Sequence, residues 1–339
     1  MRILKHIRDY FYFNELIRNK NEEKIIYLLS PRHGNLGDQM ISIATRKILD
    51  DFYPEKIIIE IEDKLYRKNK EKIKKYINKN DIIVLQGGGN LGDIWLNEEI
   101  LRREILEEYS DNKIIIMPQT ITFNTAEETK ESQRIYSKVR DLTIITREEY
   151  SYESGKEIFS KNKVLLIPDS VFYLEDYYQC RLNKNRKGAL FLLRKDIEKT
   201  ISNEVSDSIA EILKKINLDY TFGDTVIEEK GKMSKYTREK FCNNLLEEIS
   251  TKKLIITDRL HGMIFSIITN TPAVVFGSGT KKTVGSLKWA KHLEYISFIE
   301  DGNDLEKMEK EIKRLLSLKV EKEKYQIKEI MKKKFKDVL

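Results

Sequence analysis

Length, composition and charge place the chain among globular proteins and exclude several classes of function. It has 339 residues, of which 40% are hydrophobic and 35% charged, a composition typical of one large or two ordinary folded domains. The 62 basic and 55 acidic residues give a net charge of +7, which suits anionic small substrates or an anionic membrane surface. The basic residues form no stripe with interleaved aromatics, so we do not expect nucleic acid as a partner.

Cysteine and histidine usage argues against a disulfide framework and a metal site. The two cysteines, Cys180 and Cys242, are too few for a framework, and the four histidines are scattered along the chain. No apolar stretch reaches the length of a signal-peptide core or a membrane-spanning helix. We therefore expect a cytoplasmic protein that needs no metal and no other cofactor.

Residues 1–20 predict a basic amphipathic helix. Six of its apolar residues fall close to one helical face, with Lys and Arg elsewhere: Ile3, Leu4, Ile7, Tyr10, Phe11 and Leu16. Such a helix can lie on a membrane surface. Docking against its own domain is the plainer interpretation and the one we favour.

From residue 24 onward, short β-rich runs alternate with longer helical patterns. One set of strands is predicted at 24–30, 56–61, 81–86, 113–119, 142–146 and 164–169, and a second set at 188–194, 218–222, 253–257 and 272–276. Continuous apolar strands separated by helices indicate parallel sheets covered on both faces.

We predict an α/β protein with two tandem doubly wound, Rossmann-like domains and a ligand cleft between the carboxyl ends of their sheets. The polar stretch 175–187 is interpreted as the link, giving an N-terminal domain over 1–180 and a C-terminal domain over 181–339. The final Lys/Glu-rich segment predicts one long helix in the second domain. Its apolar side is formed by Leu305, Met308, Ile312 and Leu315.

Two predicted strands end in related glycine-rich turns, HGNLGDQ (33–39) and GGGNLGD (87–93). Glycine lets a ligand approach the backbone, and the following helix offers unpaired N–H groups suited to an anion. Alternatively, both are tight strand-to-helix turns in which Asp38 and Asp93 serve as N-caps. Together the turns favour a shared cleft, with these candidates for substrate binding: Gly34, Asn35, Asp38, Gly88, Gly89 and Asn90.

Neither these turns nor a later glycine-containing segment fits a nucleotide-binding fingerprint. Residues 87–92 satisfy the spacing G-x-G-x-x-G, but they follow the third predicted strand, and the next strand ends without an acidic residue. GSGTKKT (277–283) lacks the glycine that a P-loop needs before Lys-Thr. We therefore reject a nicotinamide or flavin enzyme.

The most informative segment is KLIITDRLHGMIFSIITNTPAVVFG (253–277), in which a buried strand delivers Arg259 and His261 just before a helix. Arginine offers a planar fork for carboxylate or phosphate. Histidine titrates near neutrality, and a helix N-terminus should hold it toward its neutral form. The pair is suited to bind an anion and move protons. The plainer alternative is that Arg259 pairs with Asp258 and that His261 merely starts the helix.

Three segments resemble motifs of the polysaccharide pyruvyl transferase family, in the order expected: GNLGDQMI (34–41), QGGGNLGD (86–93) and TDRLHGMIFSIITNTPAVVF (257–276). The resemblance spans nearly the whole chain and implies a two-domain architecture similar to GT-B glycosyltransferases. It also implies transfer of a pyruvyl group from phosphoenolpyruvate to a sugar of a surface polysaccharide, with a ketal as product. Residues 177–186 carry no recognisable acceptor signature, so the acceptor sugar stays open.

The resemblance suggests roles for individual residues. Arg259 and His261 match an Arg-x-His associated with phosphoenolpyruvate, and Arg194 matches an arginine after the first strand of the second domain. We expect Arg259 and Arg194 to hold the donor from opposite domains and His261 to act as acid or base. Asp93 is expected to orient or deprotonate the sugar hydroxyl.

Further assignments from the resemblance are less specific. Lys281 and Lys282 lie near a lysine that members often carry, and Lys282 is our candidate for a phosphate contact. Arg147 also matches an arginine that family members often carry, and its position fits a structural role as well as a catalytic one. The acceptor is expected to be a saccharide, including a lipid-linked precursor at the inner membrane face, where residues 1–20 would dock.

Two other functions stay open on the sequence. One is a GT-B type glycosyltransferase that uses a nucleotide sugar. The other is a non-catalytic component of a polysaccharide assembly complex, which would not need His261.

Overall fold

The computed structural model describes residues 13–176, 185–194, 199, 201–227, 233–277, 285–320 and 327–339. Two parallel β-sheets, each flanked by helices, form its framework.

The first sheet has seven strands in the order β2-β1-β3-β5-β6-β7, with β4 paired to β5. Its strands are β1 (Lys24–Ser30), β2 (Ile57–Glu62), β3 (Ile82–Leu85), β4 (Gly88–Gly92), β5 (Lys113–Thr122), β6 (Asp141–Thr146) and β7 (Lys163–Leu166). Its helices are α1 (Leu36–Phe52), α2 (Asp63–Lys74), α3 (Leu96–Glu108), α4 (Ala126–Tyr136) and α5 (Glu149–Ile158). Every residue of β1 is buried, as expected of a strand covered on both faces, and residues 25–29 form a continuous apolar run.

The second sheet has five parallel strands in the order β12-β11-β10-β8-β9. Its strands are β8 (Ala189–Leu192), β9 (Tyr220–Gly223), β10 (Leu254–Thr257), β11 (Ala273–Phe276) and β12 (Ile296–Ile299). The remaining helices are α6 (Asn203–Lys215), α7 (Arg238–Ser250), α8 (Leu260–Ile268), α9 (Leu305–Ser317) and α10 (Ile327–Phe335).

These sheets confirm the predicted α/β class, with two tandem Rossmann-like domains in a GT-B-like arrangement. Each strand predicted from the sequence is present. Two strands are absent from the prediction. β4 is the glycine-rich segment GGNLG, which has none of the β-branched residues typical of strands. β12 is the run ISFI, which the sequence analysis did not single out.

One hydrophobic core joins the two domains. It fills the space between their facing sides and includes Ile25 and Val84 from the first sheet and Leu190 and Val275 from the second. Two further cores cover the other face of each sheet. Because the domains share buried apolar surface, packing fixes their relative position.

Polar contacts reinforce this junction. The guanidinium of Arg238, on α7, makes two hydrogen bonds of 2.5 and 2.8 Å to the carboxylate of Glu60, on β2. The backbone N–H of Ile227 donates to the carbonyl of Gly34 at 2.8 Å. A Cβ on Gly34 would come within 1.8 Å of the Ile227 oxygen, so only glycine permits this approach.

The prediction of a single long C-terminal helix is wrong. α9 ends at Ser317 because Leu318 adopts an extended backbone, with φ −67° and ψ 134°. α10 is a separate helix that returns to the first domain, where Phe335 packs on Phe52 with ring centroids 6.0 Å apart. On α9, Met308, Ile312 and Leu315 are buried as predicted, whereas Leu305 is exposed. The predicted boundary between residues 180 and 181 lies outside the described residues and stays a prediction.

The end of the predicted N-terminal helix docks on its own domain. Residues 13–18 are helical, and Phe13 and Leu16 are buried in the core on the outer face of the first sheet. The ammonium of Lys72 lies 3.7 Å from the centroid of the Phe13 ring. Residues 1–12 lie outside the described part of the chain.

Candidate active site

A cavity of 440 Å³ lies between the carboxyl ends of the two sheets. Most of the residues proposed from the sequence line it: Asn35, Asp38, Gly88, Gly89, Asn90, Arg147, Arg194, Arg259 and His261. The other lining residues are Leu29, Pro31, His33, Asp63, Gln86, Gly87, Trp95, Glu98, Thr225, Val226 and Leu260. The carboxyl edge of a parallel sheet is where α/β proteins bind ligands, so this cavity is the candidate active site.

The first glycine turn shapes one wall of the cavity and also joins the domains. Asn35, rather than Asp38, is the N-cap of α1, because its side chain accepts a hydrogen bond of 3.0 Å from the Gly37 N–H. Asp38 lies in the first turn of α1, with its carboxylate 3.7 Å from Nε2 of His33. Gly34 does not line the cavity and contacts the backbone of the second domain instead.

The second glycine turn is held in place by buried side chains. Gly88 has φ +133°, a conformation that favours glycine, and Gly89 and Asn90 follow it along the wall. The Asn90 Oδ1 accepts hydrogen bonds from Arg102 at 2.7 Å and from Gln119 at 3.1 Å. These contacts fix the Asn90 side chain at the edge of the cavity.

His261 is the buried histidine of the site. It lies in the first turn of α8, and a Cβ on Gly37 would come within 2.2 Å of its Nδ1, so the ring packs directly on the start of α1. Its Nε2 is 3.8 Å from the Asp169 carboxylate and has no hydrogen-bond partner within the described residues. Burial lowers the pKa of His261; Asp169 and Asp38 oppose this effect and nearby arginines reinforce it. The imidazole is therefore neutral at pH 7 and has a ring nitrogen available for a ligand.

Arg147 and Asp169 form a buried ion pair beside His261. The Arg147 guanidinium is 2.7 Å from the Asp169 carboxylate and donates to the Thr120 hydroxyl at 2.9 Å. Burial alone would lower the pKa of Arg147, but the attraction of Asp169 and Glu148 outweighs it and the pKa is raised. Arg147 therefore keeps its charge at the cavity wall while orienting the carboxylate that faces His261.

Arg194 and Arg259 approach the cavity from the same domain. Arg194 follows β8 and Arg259 follows β10, and these strands are neighbours in the second sheet. The expectation that they lie on opposite domains is wrong, and the cavity arginine of the first domain is Arg147.

Two carboxylates fix these residues. The Asp258 carboxylate accepts a hydrogen bond of 2.8 Å from the backbone N–H of Arg194. The Arg259 guanidinium pairs at 2.8 Å with Asp224, not with Asp258 as the plainer interpretation had it. Within the described residues, the buried Nε of Arg259 has no hydrogen-bond partner. Arg259 is thus held by one nitrogen and retains donor capacity for an anion.

Besides Gly34, one described residue predicted for the site, Asp93, does not line the cavity. The Asp93 carboxylate accepts hydrogen bonds of 2.8 Å from the backbone N–H groups of Asn124 and Thr125, so it holds the turn before α4. It is neither an N-cap of its own helix nor a lining residue. Lys281 and Lys282 lie outside the described residues.

Several lining residues escaped the sequence analysis. Asp63 lines the cavity and comes directly after β2, and Asp169, which contacts His261 and Arg147 without lining the cavity, comes shortly after β7. The position of carboxylates after parallel strands was therefore a usable signal. His33 stands inside the first glycine motif. Trp95 and Glu98 follow the second turn without any distinctive spacing.

Among the described residues, no cluster of three or more His, Cys, Asp or Glu side chains is arranged to hold a metal ion. In the same ranges, no helix combines the length and apolar character needed to span a membrane.

Comparison with known proteins identifies the family of this chain. The model of the family described as polysaccharide pyruvyl transferase matches residues 35–280, a span that includes most of the first glycine turn, all of the second, and Arg194, Arg259 and His261. The chain belongs to the polysaccharide pyruvyl transferase family. It is therefore a transferase, as the sequence motifs predicted.

Individual relatives of this pyruvyl transferase family member show how far the similarity extends along the chain. General stress protein 30 of Bacillus subtilis is 36% identical over 303 residues, which cover 87% of this chain and 86% of that protein. Pyruvyl transferase 1 of Schizosaccharomyces pombe is 26% identical over 270 residues, covering 75% of this chain and 66% of that protein. The crystal structure of a functionally uncharacterized protein from Klebsiella pneumoniae superposes with a TM-score of 0.54 at 17% identity, covering 86% of this chain and 98% of the other. That likeness concerns the fold alone.

Proposed function

We propose that this chain transfers a pyruvyl group from phosphoenolpyruvate to two hydroxyls of a surface-polysaccharide sugar, forming a ketal and releasing phosphate. One observation carries the proposal: Arg147, Arg194 and Arg259 meet a buried neutral histidine in one cavity. A donor with a phosphate and a carboxylate needs several fixed cations, and planar guanidinium groups suit both anions.

The chemistry begins with a proton. His261 delivers it to the terminal vinyl carbon of the donor, which becomes a methyl group, while positive charge develops on the central carbon. Binding of the anionic donor favours the charged imidazolium that this step needs, and Asp169 and Asp38 add to that effect.

A sugar hydroxyl then attacks the central carbon. The His33–Asp38 pair, with its nitrogen and oxygen 3.7 Å apart at the cavity wall, is placed to accept the hydroxyl proton, a role that Asp93 does not fill. The bond from the central carbon to the phosphate oxygen breaks, and a second hydroxyl attacks the same carbon. Of the two hydroxyl protons, one balances the proton spent on the methyl group and the other leaves with phosphate.

The test is isothermal titration with phosphoenolpyruvate. We expect saturable binding by the wild type and an affinity about tenfold to a hundredfold weaker for Arg259→Ala, because a hydrogen bond to a charged group contributes about 1.5–3 kcal/mol. Arg46→Ala, which changes an arginine with a 40% exposed side chain far along α1, is the matched control and should bind normally. Preferential binding of UDP-sugars over phosphoenolpyruvate would overturn the proposal in favour of a nucleotide-sugar transferase.

A second test addresses turnover. His261→Ala should abolish phosphate release in the presence of acceptor while the protein stays folded. A folded and active His261→Ala variant would contradict the assignment of His261 and would favour the non-catalytic alternative.

The location of the reaction is part of the proposal. We infer that a lipid-linked precursor at the cytoplasmic face of a membrane serves as acceptor. Because Phe13 and Leu16 pack in the protein's own core, the membrane contact is assigned to residues 1–12 of the predicted 1–20 segment. Deleting residues 1–12 should reduce sedimentation with anionic vesicles and leave phosphoenolpyruvate binding unchanged. Equal sedimentation of both proteins would remove the membrane contact from the proposal.

A further inference from the structure

Trp95 is an exposed aromatic residue at the cavity wall. Its side chain is 55% exposed, although tryptophan is usually well buried. It ends a short 3₁₀ turn, Asp93–Trp95, between β4 and α3. A large apolar side chain left open beside a polar cavity indicates a surface that a ligand covers.

The turn that carries Trp95 is rigid. Gly92 has φ +122°, and a Cβ there would come within 1.9 Å of the Thr122 oxygen, so the backbone fits closely against β5. Asp93 ties the turn to residues 124–125 through charge-assisted hydrogen bonds. From the other side, the buried Glu99 accepts a hydrogen bond from the Gly92 N–H. The indole is thus presented on a fixed support, which limits the entropy lost when it binds a ligand.

Two carboxylates of the cavity wall, Asp63 and Glu98, lie close to each other, and Glu98 comes three residues after Trp95. Burial raises the pKa of Asp63, and the nearby charge of Glu98 adds to this effect. Asp63 follows β2, an edge strand of the first sheet. Arg147 follows β6, which lies toward the opposite edge of that sheet. Glu98 forms an ion pair with Arg67 of α2, the helix that begins at Asp63, and the guanidinium and the carboxylate are 2.9 Å apart. The wall near Trp95 therefore carries two carboxylates, whereas Arg147, Arg194 and Arg259 line the part of the cavity that contains His261.

We propose that Trp95, Asp63 and Glu98 form the subsite for the saccharide acceptor. The inference rests on the proposed function and identifies where the second substrate lies. Carboxylates repel the anionic donor but accept hydrogen bonds from sugar hydroxyls, because an ionised carboxylate only accepts. The flat indole face packs against the apolar C–H face of a sugar ring. An uncharged polyol with one apolar face satisfies both groups.

The test uses an array of immobilised oligosaccharides built from neutral hexoses and N-acetylhexosamines, probed in the presence of phosphoenolpyruvate. The wild type should bind a subset of them, and Trp95→Ala should weaken that binding about tenfold or more, as truncation of an aromatic anchor does. Trp95→Phe, which keeps a ring face, should retain much of the binding. Ile100→Ala is the matched control, because Ile100 is 42% exposed on α3 and does not line the cavity.

Donor titrations separate this proposal from the proposed function. Trp95→Ala should bind phosphoenolpyruvate as the wild type does, since its effect is confined to the acceptor. If saccharide binding depends on Trp95 but the protein does not bind phosphoenolpyruvate, the acceptor subsite is supported and phosphoenolpyruvate is rejected as the donor. Absence of saccharide binding by a wild type that binds the donor would overturn the subsite alone.

Two more results would overturn it. One is binding of UDP that depends on Trp95, which would make the indole a platform for a nucleotide base. The other is equal loss of vesicle binding by Trp95→Ala and Ile100→Ala with unchanged saccharide binding, which would make this exposed surface a membrane contact.

Discussion

The imidazole of His261 packs on the backbone of Gly37, so that a Cβ at position 37 would come within 2.2 Å of Nδ1. The two residues come from different domains, and each begins a helix. The glycine of the first turn is therefore required by a side chain of the second domain. This relationship places the buried histidine between the positive ends of two helices, which favours its neutral form.

Replacing Gly37 by alanine should disable the site without unfolding the protein. The added methyl group must displace the His261 ring, and we expect phosphate release to fall about a hundredfold or more, because small displacements of a catalytic group have effects of that size. Gly302→Ala is the control: its nearest neighbour is a Val205 methyl at 3.2 Å, and neither residue lines the cavity. Normal activity of a folded Gly37→Ala protein would show that the ring position is not critical.

Binding of phosphoenolpyruvate should draw a proton onto His261. Burial lowers the pKa of the free imidazole, and a bound anion raises it. The complex therefore holds more protons than the free protein, and affinity should increase as pH falls through the interval between the two pKa values. Titration calorimetry in buffers of different ionisation enthalpy measures this uptake. His261→Asn should lose it, and subtracting that variant removes the contribution of the donor's own phosphate. Equal proton uptake by both proteins would place the proton elsewhere.

The sequence predicted the strands well because their apolar runs are continuous and buried, as in β1 and β10. It also placed His261 and Arg259 correctly at the end of a strand. Asp93 was misplaced because the two Asn-Leu-Gly-Asp motifs look equivalent. In the first, Asp38 enters α1 directly and lines the cavity, whereas in the second the chain continues as β4 and carries Asp93 beyond it. The contact between His261 and Gly37 depends on tertiary packing, which leaves no local signal.

Glu175 should make stability depend on pH. Its side chain is fully buried, and this burial raises its pKa to about 8, with Asp176 adding to the effect and Lys328 opposing it. In the unfolded chain the group titrates near 4.5, so between these values the folded state holds the extra proton. Stability is then greatest below the unfolded pKa and is lost as pH rises toward the folded one. Glu175→Gln, which mimics the neutral acid, should raise the urea midpoint at pH 8.5 and flatten its decline from pH 6. Parallel pH profiles for the two proteins would contradict a protonated Glu175.

The buried pair of Glu60 and Arg238 should hold the domains together without taking part in donor binding. Its two hydrogen bonds join β2 to α7, and both side chains are at most 5% exposed. Removing one partner leaves the other charge buried and unpaired, so Arg238→Met should lower the free energy of unfolding by about 3–5 kcal/mol. The double variant Glu60→Leu with Arg238→Met should regain much of that loss, because it removes both charges.

Arg134→Met, which breaks an exposed pair with Glu131, is the control and should change stability by about 1 kcal/mol or less. Urea unfolding measures all four proteins, and the folded fraction of each should bind phosphoenolpyruvate with wild-type affinity. A double variant as unstable as Arg238→Met would show that the two hydrogen bonds themselves, rather than the unpaired charge, decide the outcome.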